Sequence, residues 1–257
     1  MSFSAEWLTA RRSADKRARN PSVARRLAGH FEDYQSLRVL DLGCGTGANM
    51  AATSALLPQG QHWTLVDNDP VLLSMIEPEP GISVETMQAD LASDLDRLFE
   101  QRFDLITASA LFDLAGRAFV DRLLRHVVDS GAVFFTVLTY DGEEDWHPAT
   151  ENDAAVLAAF HADQHAEKGL GAALGPDATQ YLERQFEAAG YSVAVGKSDW
   201  ILSAPEDSRL IQMLADGIQS ATAEKLGSAS RDWRTAHSMA QRVRVGHKDL
   251  LALPKTL

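Results

Sequence analysis

The chain has 257 residues, 45% of them apolar and 23% charged, which is enough to bury one substantial core and predicts a globular protein built as one elaborated domain. Its 36 acidic against 24 basic side chains leave a formal charge of -12, which repels phosphate backbones and anionic lipid heads and argues against a nucleic-acid or membrane partner. The single cysteine, Cys44, excludes an internal disulfide and a thiol pair for metal or redox work, and so predicts a reducing, cytoplasmic setting.

The first 26 residues are basic against this acidic body: Arg11, Arg12, Lys16, Arg17, Arg19, Arg25 and Arg26 oppose only Glu6 and Asp15. With Trp7 and Leu8 as apolar anchors they read as an amphipathic helix, either solvated or presenting arginines to a carboxylate. The stretch lacks the apolar middle of a secretory signal, and it is expected to belong to the mature protein. No apolar run reaches the roughly 18 residues that span a bilayer; the longest is "AVFFTVL" from Ala132.

Short apolar and β-branched runs then alternate with helical segments, the pattern of βαβ units feeding a parallel sheet. Strands are expected near 38–42, 63–67, 82–87, 103–108 and 132–139. Before the last of these, Phe119, Leu123 and Val127 share a helical face beside Val120, Leu124 and Val128, and Gly131 ends the helix. Residues 176–190 read as a helix followed by a strand, and 198–204 as a run that extends or pairs with it. Two helices near 207–225 and 231–242 precede a last strand at 247–254. The predicted fold class is α/β and doubly wound, mostly parallel, with extra helices before the first strand and between the last ones.

The turn after the first strand, in "LRVLDLGCGTGANM" from Leu37, alternates Gly43, Gly45 and Gly47, and glycine lets backbone approach a ligand closely. A dinucleotide fingerprint needs G-x-G-x-x-G, but alanine and asparagine occupy positions 48 and 49; a P-loop needs a Gly-Lys-Ser/Thr that is absent. Asp41 before the turn would repel a pyrophosphate and attract an ammonium or sulfonium, so a cationic nucleoside is favoured and a dehydrogenase is the remote alternative.

"VLDLGCGTGAN" resembles the first motif of the class I S-adenosylmethionine-dependent methyltransferases, and three more segments follow in that family's order across roughly 38–139. The resemblance implies a Rossmann-like seven-stranded sheet, S-adenosylmethionine as donor, S-adenosylhomocysteine as product, and no metal. It also implies a donor site of Asp41, Gly43, Gly45, Gly47 and Asn49, then Asp67 on the ribose hydroxyls with Asn68 beside it. From "MQADLAS", Asp90 would accept from the adenine amino group and Leu91 would offer its N–H; from "FDLITASALFDL", Ser109 would lie near the methionine part. Aspartates in these places also cap helices and shape turns with no ligand present, so Asp41, Asp67 and Asp90 each keep that second reading. Cys44 reads as a small residue packed in the turn.

Methyl transfer is an in-line displacement, so the acceptor side needs alignment, exclusion of water and, for some acceptors, a base. Asp113 stands where similar enzymes often carry a histidine, and it either faces the acceptor or caps the next helix. After the fifth strand a loop is expected to carry Tyr140, Asp141, Trp146 and His147; catalytic roles fall to Asp113, Tyr140 and Asp141, and an aromatic pocket wall to Tyr140 and Trp146, unless Trp146 anchors the loop. His161 and His165 are four apart but have no third ligand at a recognisable spacing, so the expectation is no metal. The stretch from His161 reads as a lid with Gly169 and Gly171 as pivots, from which Gln164 and Lys168 would meet a polar or carboxylate substrate.

The expected organisation is an N-terminal helical cap at 1–36, a donor half at 37–140, and an acceptor half with lid and helical insertion at 141–257. The expected function is methyl transfer to an oxygen or nitrogen of a small molecule. Alternatives are a protein- or RNA-modifying methyltransferase and a non-catalytic donor-binding module; oligomeric state is open, a homodimer included.

Overall fold

The computed structural model describes residues 3–77 and 80–255. Two helices, α1 (Ala5–Ala18) and α2 (Pro21–Phe31), lead into the sheet. They break at Arg19 and Asn20 because Pro21 starts a helix without leaving an N–H unpaired, and the Asn20 side chain accepts from the N–H groups of Ser22 and Val23.

Eight strands make one sheet: β1 (Leu37–Leu42), β2 (Gln61–Asp67), β3 (Ser83–Gln88), β4 (Leu105–Ser109), β5 (Val133–His147), β6 (Ser192–Lys197), β7 (Trp200–Ser203) and β8 (Arg242–Leu253). The order is β3-β2-β1-β4-β5-β8-β6, and β7 pairs with β8. β1 to β5 run parallel, while β8 is antiparallel to β5, β6 and β7. This is the doubly wound sheet expected, with one short strand more than seven. The extra strand exists because β8 outruns β6, and its Arg242 to Val245 edge is paired instead by Trp200 to Ser203.

Helices α3 (Ala48–Thr53), α4 (Pro70–Ser74) and α5 (Leu91–Leu98) follow β1, β2 and β3, and α6 (Arg117–Ser130) joins β4 to β5. α7 (Asp153–Gln164) and α8 (Ala178–Ala188) join β5 to β6, and α9 (Ser208–Leu226) with α10 (Ser228–His237) lie between β7 and β8. Alternate strand residues feed cores on opposite faces of the sheet: Val39 and Phe135 pack in one, Leu40 and Phe134 in the other. That two-sided burial explains the near-continuous apolar runs of the central strands.

Two boundaries differ from those the sequence suggests. β5 does not give way to a loop at Tyr140; register shifts between Thr136 and Thr139 and between Tyr140 and Glu144 let its pairing with β8 continue to His147. Tyr140, Asp141 and Trp146 therefore stand on a bulged strand. The helix expected through Arg242 ends at His237, because Arg242 already opens β8.

Each bulge has a buried fastening. At the first, Leu138 takes a positive φ of 57° and donates its N–H to Asp249 at 2.9 Å; the other Asp249 oxygen accepts from the Asn20 N–H at 2.7 Å, tying the break between α1 and α2 to the sheet. At the second, Asp141 folds over Gly246, where an added Cβ would collide with the Asp141 carboxylate and sit 2.9 Å from the Glu143 Cβ. Gly246→Ala is accordingly expected to destabilise the protein by about 1 to 3 kcal/mol, read as a lower denaturation midpoint. Adding Asp141→Ala should restore part of the loss, and a purely additive double variant would show that the clash is not the cause.

Candidate active site

The glycine turn is built by backbone conformation. Gly43, Gly45 and Gly47 have φ values of 64°, 54° and 79°, a region that side chains with a Cβ rarely adopt. The Asp67 carboxylate at the end of β2 holds this turn, accepting the Gly45 N–H at 2.8 Å with one oxygen and the Asp69 N–H at 3.0 Å with the other. Asp69 in turn caps α4 through the N–H groups of Val71 and Leu72. Asp90 caps α5 by accepting the Ala92 N–H at 2.9 Å.

Beneath the turn lies a polar chain whose Asp41, Asn49, Thr53 and Thr107 are buried. The Asn49 amide donates to Asp41 at 2.8 Å and to the Thr107 hydroxyl at 3.1 Å, while its oxygen accepts from Arg19 at 2.9 Å and from the Thr53 hydroxyl at 3.2 Å. Arg19 also donates to the Thr53 hydroxyl at 3.0 Å. All the hydrogen-bonding groups of the Asn49 amide are engaged, whereas one Asp41 oxygen is buried without a partner. Burial pushes the Asp41 pKa up to about 7, against the opposing pull of Asn49 and Arg19. Burial likewise lowers the Arg19 pKa, although Asp249, Asp15 and Asp41 oppose the shift.

A cavity of about 290 Å³ opens above the turn at the carboxyl ends of the strands. Gly43, Gly45, Asp67 and Asn68 line it from the ends of β1 and β2, and Asp90, Leu91 and Ser109 from the ends of β3 and β4. Seven of the ten residues expected around a donor thus converge, while Asp41, Gly47 and Asn49 lie outside the lining. α1 and the stretch after α7 line the cavity as well. Leu8 and Arg11 come from α1, Lys168 and Leu170 from that stretch, and Leu111 and Leu114 from the turn after β4. Leu8 reaches over the glycine turn, 3.0 Å from where a Cβ on Gly45 would be. The Leu170 carbonyl accepts the Gly116 N–H at 2.9 Å, which pins the covering segment to the turn before α6.

The residues expected at an acceptor divide. Lys168 lines the cavity, paired with Asp163 at 2.6 Å. Asp113 sits in a helical turn, Phe112–Leu114, outside the cavity lining, and Gly116 rather than Asp113 heads α6. One Asp113 oxygen is buried without a partner and burial raises its pKa to about 6, with its own and the Tyr140 backbone N–H groups and Arg11 opposing. The Tyr140 hydroxyl donates to Glu144 at 2.9 Å and lies 3.3 Å from His161 Nε2; burial first and Glu144 second raise its pKa. Asp141 accepts the Glu143 N–H within its own bulge at 3.1 Å. Gln164 ends α7 outside the lining.

Trp146 faces a second cavity of about 200 Å³ among β5, α7, α9 and α10. There it packs edge to face on Trp233, with ring centroids 5.0 Å apart, and donates to Glu144 at 2.9 Å. His161 bonds the Gly142 carbonyl at 3.0 Å and His165 the Ala173 carbonyl at 3.3 Å, so the two histidines serve different loops. Among the described residues no group of three or more His, Cys, Asp or Glu side chains is placed to hold a metal. Leu111, Leu114 and Leu170 escaped sequence reasoning because no spacing distinguishes them from core leucines.

A family model described as a methyltransferase domain matches residues 39–131. The malonyl-[acyl-carrier protein] O-methyltransferase of Bacillus cereus is 25% identical over 124 residues, 47% of this chain and 45% of that protein, so the match spans less than half of the relative's length. Among solved structures, a cyclopropane-fatty-acyl-phospholipid synthase-like protein from Lactobacillus casei superposes with a TM-score of 0.56 at 14% identity, covering 98% of this chain and 95% of that one. A mycolic acid cyclopropane synthase, solved with S-adenosylhomocysteine, gives 0.51 at 13% identity over 90% and 83%. Residues 39–131 thus match a methyltransferase domain, and the fold is the α/β Rossmann-like one of class I methyltransferases.

The Asp41 carboxyl gives the site a pH signature. Its folded pKa of about 7 lies above the ordinary 3.8, so the folded protein holds a proton that the unfolded chain releases, and stability falls as pH rises from about 4 to about 7 before levelling. Between pH 5 and 8 the ligand-free protein should lose on the order of 2 kcal/mol more stability than Asp41→Asn, measured by denaturant unfolding at the two pH values. Equal losses would show that Asp41 is ionised throughout.

Proposed function

We propose that the protein transfers the methyl group of S-adenosylmethionine to an oxygen or nitrogen of a small molecule bound in the same cavity. The carrying observation is one cavity lined both by backbone turns and carboxylates from the ends of β1 to β4 and by leucines and two cations from α1, the turn after β4 and the 168–170 segment. The residues from β1 to β4 fit the donor by their chemistry. Carboxylates at Asp67 and Asp90 can accept from hydroxyl and amino groups, and the glycine turn leaves room for close approach. The sulfonium supplies an electrophilic methyl; the chain's task is to align an acceptor with it and exclude water.

Cover by α1 and the lid segment supports a small acceptor over a protein or RNA, and the formal charge of -12 supports the same choice against RNA. The Bacillus cereus relative is named as an O-methyltransferase, which agrees with the oxygen branch. In this reading residues 1–36 act as a cap, 37–140 as the donor half and 141–257 as the acceptor half of one domain.

Calorimetry should detect S-adenosylhomocysteine binding and no NAD binding, with Asp67→Ala weakening the former by about tenfold or more. Binding of NAD alone would end the methyltransferase reading. Incubation with isotopically labelled donor and a metabolite extract should label a small molecule; label confined to protein or RNA would overturn the acceptor class.

A further inference from the structure

The cavity carries two cations in its lining. Arg11 and Lys168 line it among Leu8, Leu111, Leu114 and Leu170. Among the described lining residues the other titratable groups are Asp67 and Asp90, which hold the glycine turn and cap α5. The described lining residues include no histidine, cysteine, tyrosine or glutamate. Tyr140 and Asp113 lie outside it, and the Tyr140 hydroxyl is bonded to Glu144.

Both cations are fixed in place and both keep donors to spare. Arg11 is 8% exposed; it donates its Nε to Asp15 at 2.9 Å and lies over the Trp200 ring at 5.0 Å, so its two Nη groups make no hydrogen bond to another described residue. Lys168 gives one of its three N–H donors to Asp163. A guanidinium held in this way presents a planar fork that matches a carboxylate, and its positive charge disfavours an ammonium acceptor.

We propose that the acceptor is a small carboxylic acid with an apolar body, held through its carboxylate by Arg11 with Lys168 beside it, and methylated on a carboxylate oxygen. The proposal rests on the methyltransferase reading above. A carboxylate is ionised near neutral pH and carries its own nucleophilic lone pair, whereas a hydroxyl or an ammonium must first lose a proton to a base. The carboxylate oxygen forms a bond to the methyl carbon while the sulfur–carbon bond breaks and its electron pair passes to sulfur. A neutral ester and a neutral thioether replace a carboxylate and a sulfonium, and no proton moves. The leucines supply the wall for the apolar body.

The test is calorimetric titration of the full chain, saturated with S-adenosylhomocysteine, using octanoate and phenylacetate beside the amine and the alcohol of each body. At least one carboxylate should bind at least about tenfold tighter than its amine and alcohol, and Arg11→Gln should weaken it about tenfold while leaving S-adenosylhomocysteine affinity within about twofold. Lys168→Met, the second variant, should weaken the same carboxylate by a smaller factor. With labelled donor, the product from the bound acid should release its label as methanol in alkali, as an ester does and an ether or amine does not. No carboxylate preference, or base-stable labelling of the alcohol or amine, overturns the proposal while the methyltransferase reading stands. Loss of S-adenosylhomocysteine affinity in Arg11→Gln, with the circular dichroism spectrum unchanged, assigns Arg11 to the donor and also overturns it. Failure of the unaltered protein to bind S-adenosylhomocysteine sinks the earlier reading instead.

Discussion

A carboxyl group with no solvent exposure lies directly beneath the glycine turn, and much of the site is organised around making that tolerable. An isolated buried carboxylate is strongly unfavourable, so Asp41 either keeps its proton or finds a compensating charge. The structure provides that charge at one remove: Asn49 bonds Asp41 with its amide nitrogen and Arg19 with its oxygen. Arg19 closes the C-terminal end of α1, the same helix that lays Leu8 over Gly45 and brings Arg11 to the cavity. The polar chain under the donor turn is therefore also the anchor of the helix that covers it.

How legible each part was in the sequence follows from the distance over which its cause acts. The donor residues sit within one or two positions of a strand end, and parallel βαβ units bring successive strand ends to one edge. Gly43, Asp67, Asp90 and Ser109 could therefore be read from local order alone, and they do share one cavity. The continuation of β5 could not be read so. "TYDGEEDWH" is polar and contains a glycine, which are loop signals, and what makes it a strand is pairing with β8, some hundred residues further along. The same long-range cause moved Trp146 from an expected acceptor wall to an edge-to-face contact with Trp233. Asp113 was open between helix cap and acceptor contact; Gly116 heads α6 instead, and Asp113 lies outside the cavity lining.

Extending β5 past the sheet edge has a consequence for the site's dimensions. Its second bulge brings Tyr140 and Glu144 together, and His161 from α7 joins them through Tyr140 and the Gly142 carbonyl. Glu144 of this group lines the second cavity with Trp146, Trp233 and Phe160, while none of its members lines the first. The covering segment that begins after α7 is thus attached at both ends, to β5 through His161 and to the turn before α6 through Leu170.

The charge of the whole chain and the charge of the cavity point in different directions, and each is informative at its own range. A formal -12 acts on large polyanions, whose many phosphates sample the entire surface. At physiological salt that field decays over about 8 Å, so a small ligand inside a cavity responds chiefly to the groups that line it. Those groups are of both signs: Asp67 and Asp90 together with Arg11 and Lys168, the two cations paired in turn with Asp15 and Asp163. A space lined by both signs can hold a pair of reactants that carry opposite charge and lose it together. In such a pair the attraction that aligns the reactants is discharged by the reaction itself, which weakens the hold on both products and favours their release.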